Sequence, residues 1–251
     1  MDWRGGRGMI SAAPVVRLQA HATAATRTGP LHAQNEDAFA SLNACSLYVV
    51  ADGVGGLAEG AVASRVVVEM LQRVVDPGAS FDLRVQQARE AIARANTALF
   101  EAGREADNAM GTTVVLTLIA ADCALCLWAG DSRAYLARGG ALHRITSDHA
   151  VFARVAEDLP PRSMITRAVG PDESVDLDCV VFDLAAGDSL LLCSDGVCGA
   201  IPENRLELLL TDPDADAEDV VAEAVAWGTR DDATALVIRI GEEEATHVAG
   251  I

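Results

Sequence analysis

Four aspartates of this 251-residue chain stand where apolar segments begin or end. Asp52 ends the apolar run of "YVVADGVGG", Asp195 ends that of "SLLLCSDGV", and Asp131 interrupts "CLWAGDSRAY". Asp231 comes just before the run of "RDDATALVIRI". A single aspartate at a strand end is typical of a turn, but loops at one edge of a sheet can converge on a common point. We therefore predict that folding gathers these side chains into one site.

Carboxylates gathered in this way would bind a metal. Buried carboxylates that lie together either take up protons or bind a cation. Because the predicted ligands are oxygen atoms and no cluster of histidine and cysteine accompanies them, Mg²⁺ or Mn²⁺ fits best and Ca²⁺ less well. Gly53, directly after Asp52, leaves its carbonyl free to face a metal. Two such ions would convert a bridging water to hydroxide and stabilise an in-line displacement at phosphorus.

The elements that must position these acids follow the order strands, two helices, strands, two helices, strand. This order predicts a single α/β domain over residues 15–241, with two mainly antiparallel sheets packed face to face and helices outside. Residues 1–14 are expected to form a flexible tail, with either Met1 or Met9 as the start. Residues 242–251 are expected to form an acidic tail.

Three local patterns give specific predictions. The segment from Phe39 to Ala51 is predicted as one strand, and Asp82 as the N-cap of the second helix. The stretch "LDCVVFDLAAGDSLLLC" is predicted as a strand pair. Gly139 and Gly140 are predicted to form a two-residue hairpin turn.

Charge and composition exclude two classes of partner. The 37 acidic and 19 basic residues give a formal net charge of -18, so no broad patch could neutralise the phosphates of a nucleic acid or of an anionic membrane. No apolar run approaches the ~20 residues that a membrane-spanning helix requires. The six cysteines lie within apolar runs, which predicts buried, reduced thiols and a cytoplasmic protein.

Eight short motifs occur in order along nearly the whole chain after the N-terminal tail: "QNEDAF", "VVADGVGG", "GTTVV", "AGDSRAYL", "ITSDH", "ITRAVG", "LLLCSDGV" and "RDDAT". Together they resemble the metal-dependent protein phosphatases, the PPM or type 2C serine/threonine phosphatases. The resemblance implies a four-layer α-β-β-α sandwich with a binuclear Mg/Mn centre at one edge of the paired sheets.

The resemblance also implies roles for individual residues. Asp52 would bridge both ions, the Gly53 carbonyl would hold one of them, and Asp195 and Asp231 would complete the ligand shells.

Three further acids match the pattern of the family. Glu36 and Asp37 of "NEDAF" match a pair that contacts metal-bound waters, and Asp37 is also counted among the candidate metal ligands. Asp131 of "GDSRA" matches a residue that helps to hold a third, weaker ion. All three are candidate site residues.

The sequence departs from the family pattern at four positions. His32 stands where the family usually has an arginine that grips the substrate phosphate, and its hold would fade as the pH rises past ~6.5. Val54 replaces a histidine that many relatives have. Asp232 replaces an asparagine, and Gly199 replaces an aspartate, which weakens the case for the third ion.

The predicted function is hydrolysis of phosphoserine and phosphothreonine in proteins by a metal-bridged water, in opposition to a bacterial Ser/Thr kinase. The protein would act as a monomer on phosphorylated proteins. A short flap at about 149–165 would help to choose them, with Arg154 and Arg162 as candidate contacts.

Two alternatives stay open. One is an inactive relative that binds phosphoproteins or a regulatory partner without turnover, and the other is a metallohydrolase of small phosphate esters. The intact Asp52, Asp195 and Asp231 favour an enzyme, because a pure binding module has no need of charges that repel phosphate.

Overall fold

The computed structural model describes residues 18–54, 58–153 and 162–242. The predicted N-terminal tail and all but the first residue of the predicted acidic tail lie outside these ranges. Within them, no helix is long and apolar enough to cross a membrane.

The described residues form strands, α-helices and one 3-10 turn. The strands are β1 Leu18–Arg27, β2 Asp37–Leu42, β3 Leu47–Val54, β4 Gly111–Thr112, β5 Val114–Ile119, β6 Cys123–Ala129, β7 Arg133–Arg138, β8 Ala141–Arg144, β9 Ala150–Ala153, β10 Arg162–Ile165, β11 Asp178–Asp183, β12 Ser189–Cys193 and β13 Ala233–Glu242. The helices are α1 Ala58–Val74, α2 Phe81–Ala106, α3 Asp195–Cys198, α4 Glu203–Thr211 and α5 Ala217–Ala226.

Two antiparallel sheets form the centre of the domain. The first sheet has the strand order β1-β13-β12-β7-β8, and the second has the order β11-β6-β5-β3-β2, with β4 paired to the end of β3. β9 and β10 form a separate hairpin. The predicted two-residue turn between β7 and β8 is confirmed.

Three apolar clusters separate the domain into four layers. One cluster lies between the two sheets, one between the second sheet and α1 and α2, and one between the first sheet and α3, α4 and α5. Because side chains alternate along a strand, Leu190 and Leu192 of β12 face the other sheet while Leu191 faces the helices. Full burial of each such leucine stabilises the fold by about 1.5–3 kcal/mol. The predicted α-β-β-α architecture is confirmed.

The prediction of one strand from Phe39 to Ala51 was wrong. β2 ends at Leu42 and β3 begins at Leu47, and a 3-10 turn of three residues joins them. Ser46, after this turn, has a φ of 47°. The turn contains neither the glycine nor the proline that often marks a hairpin, so the apolar run looks continuous in the sequence.

Two other local predictions also need correction. The two strands of "LDCVVFDLAAGDSLLLC" do not pair with each other: β11 pairs with β6, whereas β12 pairs with β7 and β13. Each of them finds a partner in its own sheet. The N-cap of α2 is Ser80, whose Oγ accepts from the Leu83 N–H, and Asp82 lies in the first turn.

The six cysteines are all free thiols, but not all of them are buried. Cys179 is exposed because β11 is an edge strand with alternate residues facing solvent, and Cys123 is half-buried at the start of β6. The prediction of buried thiols was therefore wrong for these two.

The predicted flap is described only in part. Val151 of β9 lies opposite Met164 of β10, and Phe152 is 84% exposed. Residues 154–161, with Arg154, lie outside the described residues, as does the side chain of Arg162. Contacts of these two arginines with a substrate stay predictions.

Candidate metal centre

Asp52 and Asp37 lie opposite each other on β3 and β2 of the second sheet. Opposed side chains of an antiparallel pair share a face, with their Cβ atoms about 5 Å apart. The "GTT" motif fixes the backbone of Asp52: its N–H donates to Thr113 Oγ1 (3.0 Å), and Thr112 Oγ1 donates to its carbonyl (2.9 Å). The N–H of Thr113 donates to the same carbonyl (2.8 Å).

Asp195 and Asp231 come from the first sheet. Asp195 follows β12 and begins α3, and Asp231 shortly precedes β13. Because β12 and β13 are antiparallel neighbours, the end of one strand lies beside the start of the other. Gly196 allows the close approach of these segments, since a Cβ there would clash with the Asp232 carbonyl.

Ser194 joins the two sheets at this edge. Its Oγ donates to Asp37 Oδ2 (2.8 Å) in the second sheet and accepts from the N–H of Thr234 (2.9 Å) in the first. The side chain of Asp195 also interacts with that of Asp52. Folding therefore brings together acids that lie far apart in the sequence.

Asp131 lies between β6 and β7 and is buried. The adjacent Ser132 Oγ hydrogen-bonds Thr113 Oγ1 (2.7 Å), the same hydroxyl that accepts from the Asp52 N–H. Burial raises the pKa of Asp131, and the charges of Asp148 and Asp231 act in the same direction. Asp131 is thus electrostatically part of the cluster.

The cluster raises the pKa of its carboxyl groups. Burial is the largest cause for Asp37, whose pKa is raised to about 7, and for Asp195, whose pKa is raised to about 6. The pKa of Asp52 is raised well above its usual range by burial and by the charges of Asp37, Asp195 and Asp231. Such carboxyl groups ionise readily only when a cation compensates their charge.

The residues present fit a hard divalent cation. Among the described residues, Asp37 Oδ1 and Asp131 Oδ1 are buried without a hydrogen-bond partner, and an unsatisfied buried acceptor is costly. The donors gathered here are carboxylate oxygens, and Gly53 directly follows Asp52 in the chain. This set matches Mg²⁺ or Mn²⁺ rather than a softer metal.

Asp232 has a role that the sequence did not reveal. It is 2% exposed, its Oδ1 accepts from the Gly29 N–H (2.8 Å), and its Oδ2 accepts from the Glu36 N–H (2.7 Å). The same Oδ2 lies 3.0 Å from His32 Nδ1. Asp232 therefore fixes the loop that carries His32 and Glu36, and the replacement of the family asparagine was the available signal.

His32 lies between two carboxylates. Its Nδ1 contacts Asp232, and its Nε2 lies 3.6 Å from Asp231 Oδ1. The hydrogen bond to Asp232 raises the pKa of His32, burial opposes this, and the charges of Asp232 and Asp231 add to the rise. The contact of His32 with a substrate phosphate stays a prediction.

Two glycines confine Glu36, which is buried. The Gly53 N–H donates to the Glu36 carbonyl (3.1 Å), and a Cβ on Gly53 would clash with the carbonyl of Gly60 in α1. A Cβ on Gly60 would clash with Glu36 Oε2. Glu36 thus lies directly against the start of α1.

We expect Gly60→Ala to lower kcat for a phosphothreonine peptide about tenfold, because the added methyl group displaces the Glu36 carboxylate from its position. The melting temperature should change by only a few degrees, because the higher helix propensity of alanine offsets part of the cost of moving the buried Glu36. Steady-state kinetics at saturating Mn²⁺ and thermal melting measure the two effects. Gly78→Ala, in the loop between α1 and α2, is the control. An unchanged kcat in Gly60→Ala would exclude a role for the position of Glu36.

Comparison with known families decides the relationship of this chain. The family described as "Protein phosphatase 2C" matches residues 31–236. The chain belongs to this family. The prediction made from the eight motifs is confirmed.

Individual relatives agree with the assignment. The serine/threonine phosphatase stp of Listeria monocytogenes is 29% identical over 240 residues, which cover 87% of this chain and 95% of the relative. The structure of PppA, described as a key regulatory component of T6SS in Pseudomonas aeruginosa, is 35% identical with a TM-score of 0.81, and the match covers 90% of this chain and 99% of PppA. The catalytic domain of the phosphatase PstP in complex with two manganese ions is 28% identical with a TM-score of 0.75, over 89% of this chain and 99% of that domain.

Proposed function

We propose that the acid cluster is the binuclear Mn²⁺ or Mg²⁺ centre of this serine/threonine phosphatase, which hydrolyses phosphoserine and phosphothreonine in proteins. The chain is a phosphoprotein phosphatase by family. One observation above all supports the location of the centre: the carboxylates of Asp37, Asp52 and Asp195 meet where Ser194 joins the two sheets. The manganese-bound PstP domain supports the choice of cation.

Five residues would hold the cations in this proposal. They are Asp52, as the bridging ligand, with the Gly53 carbonyl, Asp195, Asp231 and Asp37. Two bound divalent cations would lower the pKa of coordinated water and neutralise charge on the phosphoryl group. The protein contributes ligands that its hydrogen bonds have already positioned.

The other predicted residues would act around this centre. Glu36, confined by Gly60, would orient water, and Asp131, through its unpartnered Oδ1, would hold a third, weaker ion. His32 would contact the phosphate, and Arg162 of the flap would contact the protein substrate. The side chain of Val54 has no proton to donate, so a water molecule would protonate the leaving alkoxide.

The proposal is tested by phosphate release from a phosphothreonine peptide with Mn²⁺ and with a chelator. We expect hydrolysis that depends on Mn²⁺ and stops when the chelator is added, and calorimetry should count two tightly bound ions. Activity that a chelator leaves undiminished would contradict the metal centre. Two tightly bound ions without turnover of any substrate would favour the inactive binding module, and turnover of small esters alone would favour the small-ester hydrolase.

The cellular setting is also part of the proposal. The chain would oppose a Ser/Thr kinase, and it would act as a monomer in the cytoplasm. The named phosphatases among its relatives support phosphoproteins as the substrates.

A further inference from the structure

An open cleft of about 460 Å³ adjoins the acid cluster. Asp195 and Asp231 line it on one side. Leu31, Trp227 and Arg230, which have no role in the metal centre, also line it. The cleft therefore extends from the acids of the proposed metal centre to a surface that carries two large apolar side chains and one arginine.

Trp227 is held in place although it is exposed. Its backbone N–H donates to the Glu223 carbonyl (2.9 Å), and its indole Nε1 donates to Glu223 Oε1 (2.9 Å). Arg205 Nε in turn donates to the same Oε1 (2.6 Å). The indole N–H is thus hydrogen-bonded and the ring is held in place, yet 52% of the residue is exposed. A rigid aromatic ring of this kind binds apolar groups at low entropic cost.

Leu31 supplies a second apolar surface in the same cleft. It lies beyond β1, next to His32, and 64% of it is exposed. The cleft also includes Gly196, Gly199 and Gly228, which contribute no side chains. Leu31 and Trp227 therefore offer apolar surface to a bound side chain within one cleft.

Arg230 is the arginine of this cleft. It is exposed and forms no ion pair within the described part of the chain. Other arginines of this acidic protein do pair with carboxylates, as in Arg133–Asp148, Arg138–Asp188, Arg167–Asp178 and Arg205–Glu223. An exposed arginine beside the proposed metal centre suits a bidentate contact with a phosphoryl group.

His32 is less well suited than Arg230 to contact the phosphoryl group. It lines the same cleft, but its two ring nitrogens already face Asp232 and Asp231 at 3.0 and 3.6 Å. The charge of protonated His32 is therefore largely compensated. Arg230 is the stronger remaining source of positive charge for an anionic substrate.

We propose that this cleft is the substrate subsite of the phosphatase: Arg230 contacts the phosphoryl group, and Leu31 and Trp227 bind an apolar side chain next to the phosphorylated residue. The proposal rests on the proposed function. The occupant of the cleft is a phosphopeptide. The cleft is continuous with the acid cluster, and the positive charge of Arg230 complements a phosphoryl anion. It predicts a preference for apolar neighbours of phosphothreonine.

The apolar part is tested with phosphothreonine peptides that carry leucine or serine on either side of the phosphorylated residue. For wild type we expect kcat/KM to favour leucine at one of these positions by about tenfold, as burial of one such side chain allows. Trp227→Ala should abolish the preference, and Trp227→Phe should keep it. Leu31→Ser should weaken the preference. Its control, Leu208→Ser at an exposed leucine on α4, should keep it. No preference in wild type, or a preference that survives Trp227→Ala, would overturn this part.

The phosphoryl contact is tested with Arg230→Gln on the same peptides and on p-nitrophenyl phosphate, which has no neighbouring residues. We expect KM to rise about tenfold for every substrate, because the phosphoryl group is common to all of them. Arg73→Gln, which removes an arginine from an exposed pair on α1, should leave KM unchanged. A loss confined to peptides with acidic neighbours would overturn the phosphoryl assignment. Wild type inactive on all of these substrates would instead contradict the proposed function itself.

Discussion

Asp52→Asn is expected to lower Mn²⁺-dependent hydrolysis of a phosphothreonine peptide by roughly 10³-fold or more, because it removes the proposed bridging ligand at the point where charge must be neutralised. The same substitution should raise the melting temperature of the metal-free protein by a few degrees at pH 8. In the wild type, the Asp52 carboxyl group lies among Asp37, Asp195 and Asp231, whose charges oppose the ionisation of Asp52. A neutral amide of the same shape relieves this repulsion.

The two effects distinguish a functional site from a structural one. Steady-state kinetics, calorimetry with Mn²⁺ and thermal melting with a chelator measure them on the same preparation. Asp214→Asn, at an exposed loop position, is the matched control and should change neither activity nor melting. Full activity in Asp52→Asn would contradict the metal centre, and a lower melting temperature would show that Asp52 stabilises the fold.

The second large effect concerns pH and metal together. Asp37, Asp52 and Asp195 bind protons more tightly in the folded chain than in the unfolded one, because their pKa is raised by burial and by mutual repulsion. Between pH ~4 and pH ~7 the folded state therefore holds more protons, so the free energy of unfolding of the metal-free protein falls as the pH rises. Mn²⁺ compensates these charges, so it should stabilise the protein far more at pH 8 than at pH 5.

Urea unfolding at pH 5 and pH 8, with Mn²⁺ and with a chelator, measures this coupling. In the metal-free protein the unfolding free energy should be lower at pH 8, and saturating Mn²⁺ should reverse the order. Asp52→Asn should lose part of the pH dependence. A pH-independent stabilisation by Mn²⁺ would show that the ions bind elsewhere.

Much of the fold was predictable because the apolar periods are long and regular. The two long helices, the late pair of helices and most strands follow directly from spacing. The pattern did not reveal the turn at Asn43–Cys45, because three residues without glycine or proline barely interrupt an apolar run. Nor could it show that β11 and β12 lie in different sheets, since partners in a sheet are chosen by contacts distant in sequence.

The acidic residues of the candidate site could be predicted from the sequence, but the residues that position them could not. Asp-Gly at strand ends is a visible signal, and the family motifs gave it an order along the chain. Ser194 and Thr113 act through hydrogen bonds across more than one element, which no local pattern records. The motifs include "GTT" and the serine of "CSDG", but the roles of these residues depend on contacts between elements that are distant in the sequence.

The Ser194 hydroxyl, which connects Asp37 to the β12–β13 edge, makes the geometry of the proposed ligands depend on both halves of the sandwich. A slip of one half against the other by a fraction of an ångström would move some carboxylates and leave others in place. A substitution in the apolar layer between the sheets, for example at Leu192 or Val115, should then weaken ion affinity before it lowers the melting temperature. The ion affinity of the proposed centre would thus be a sensitive measure of how the two sheets are aligned.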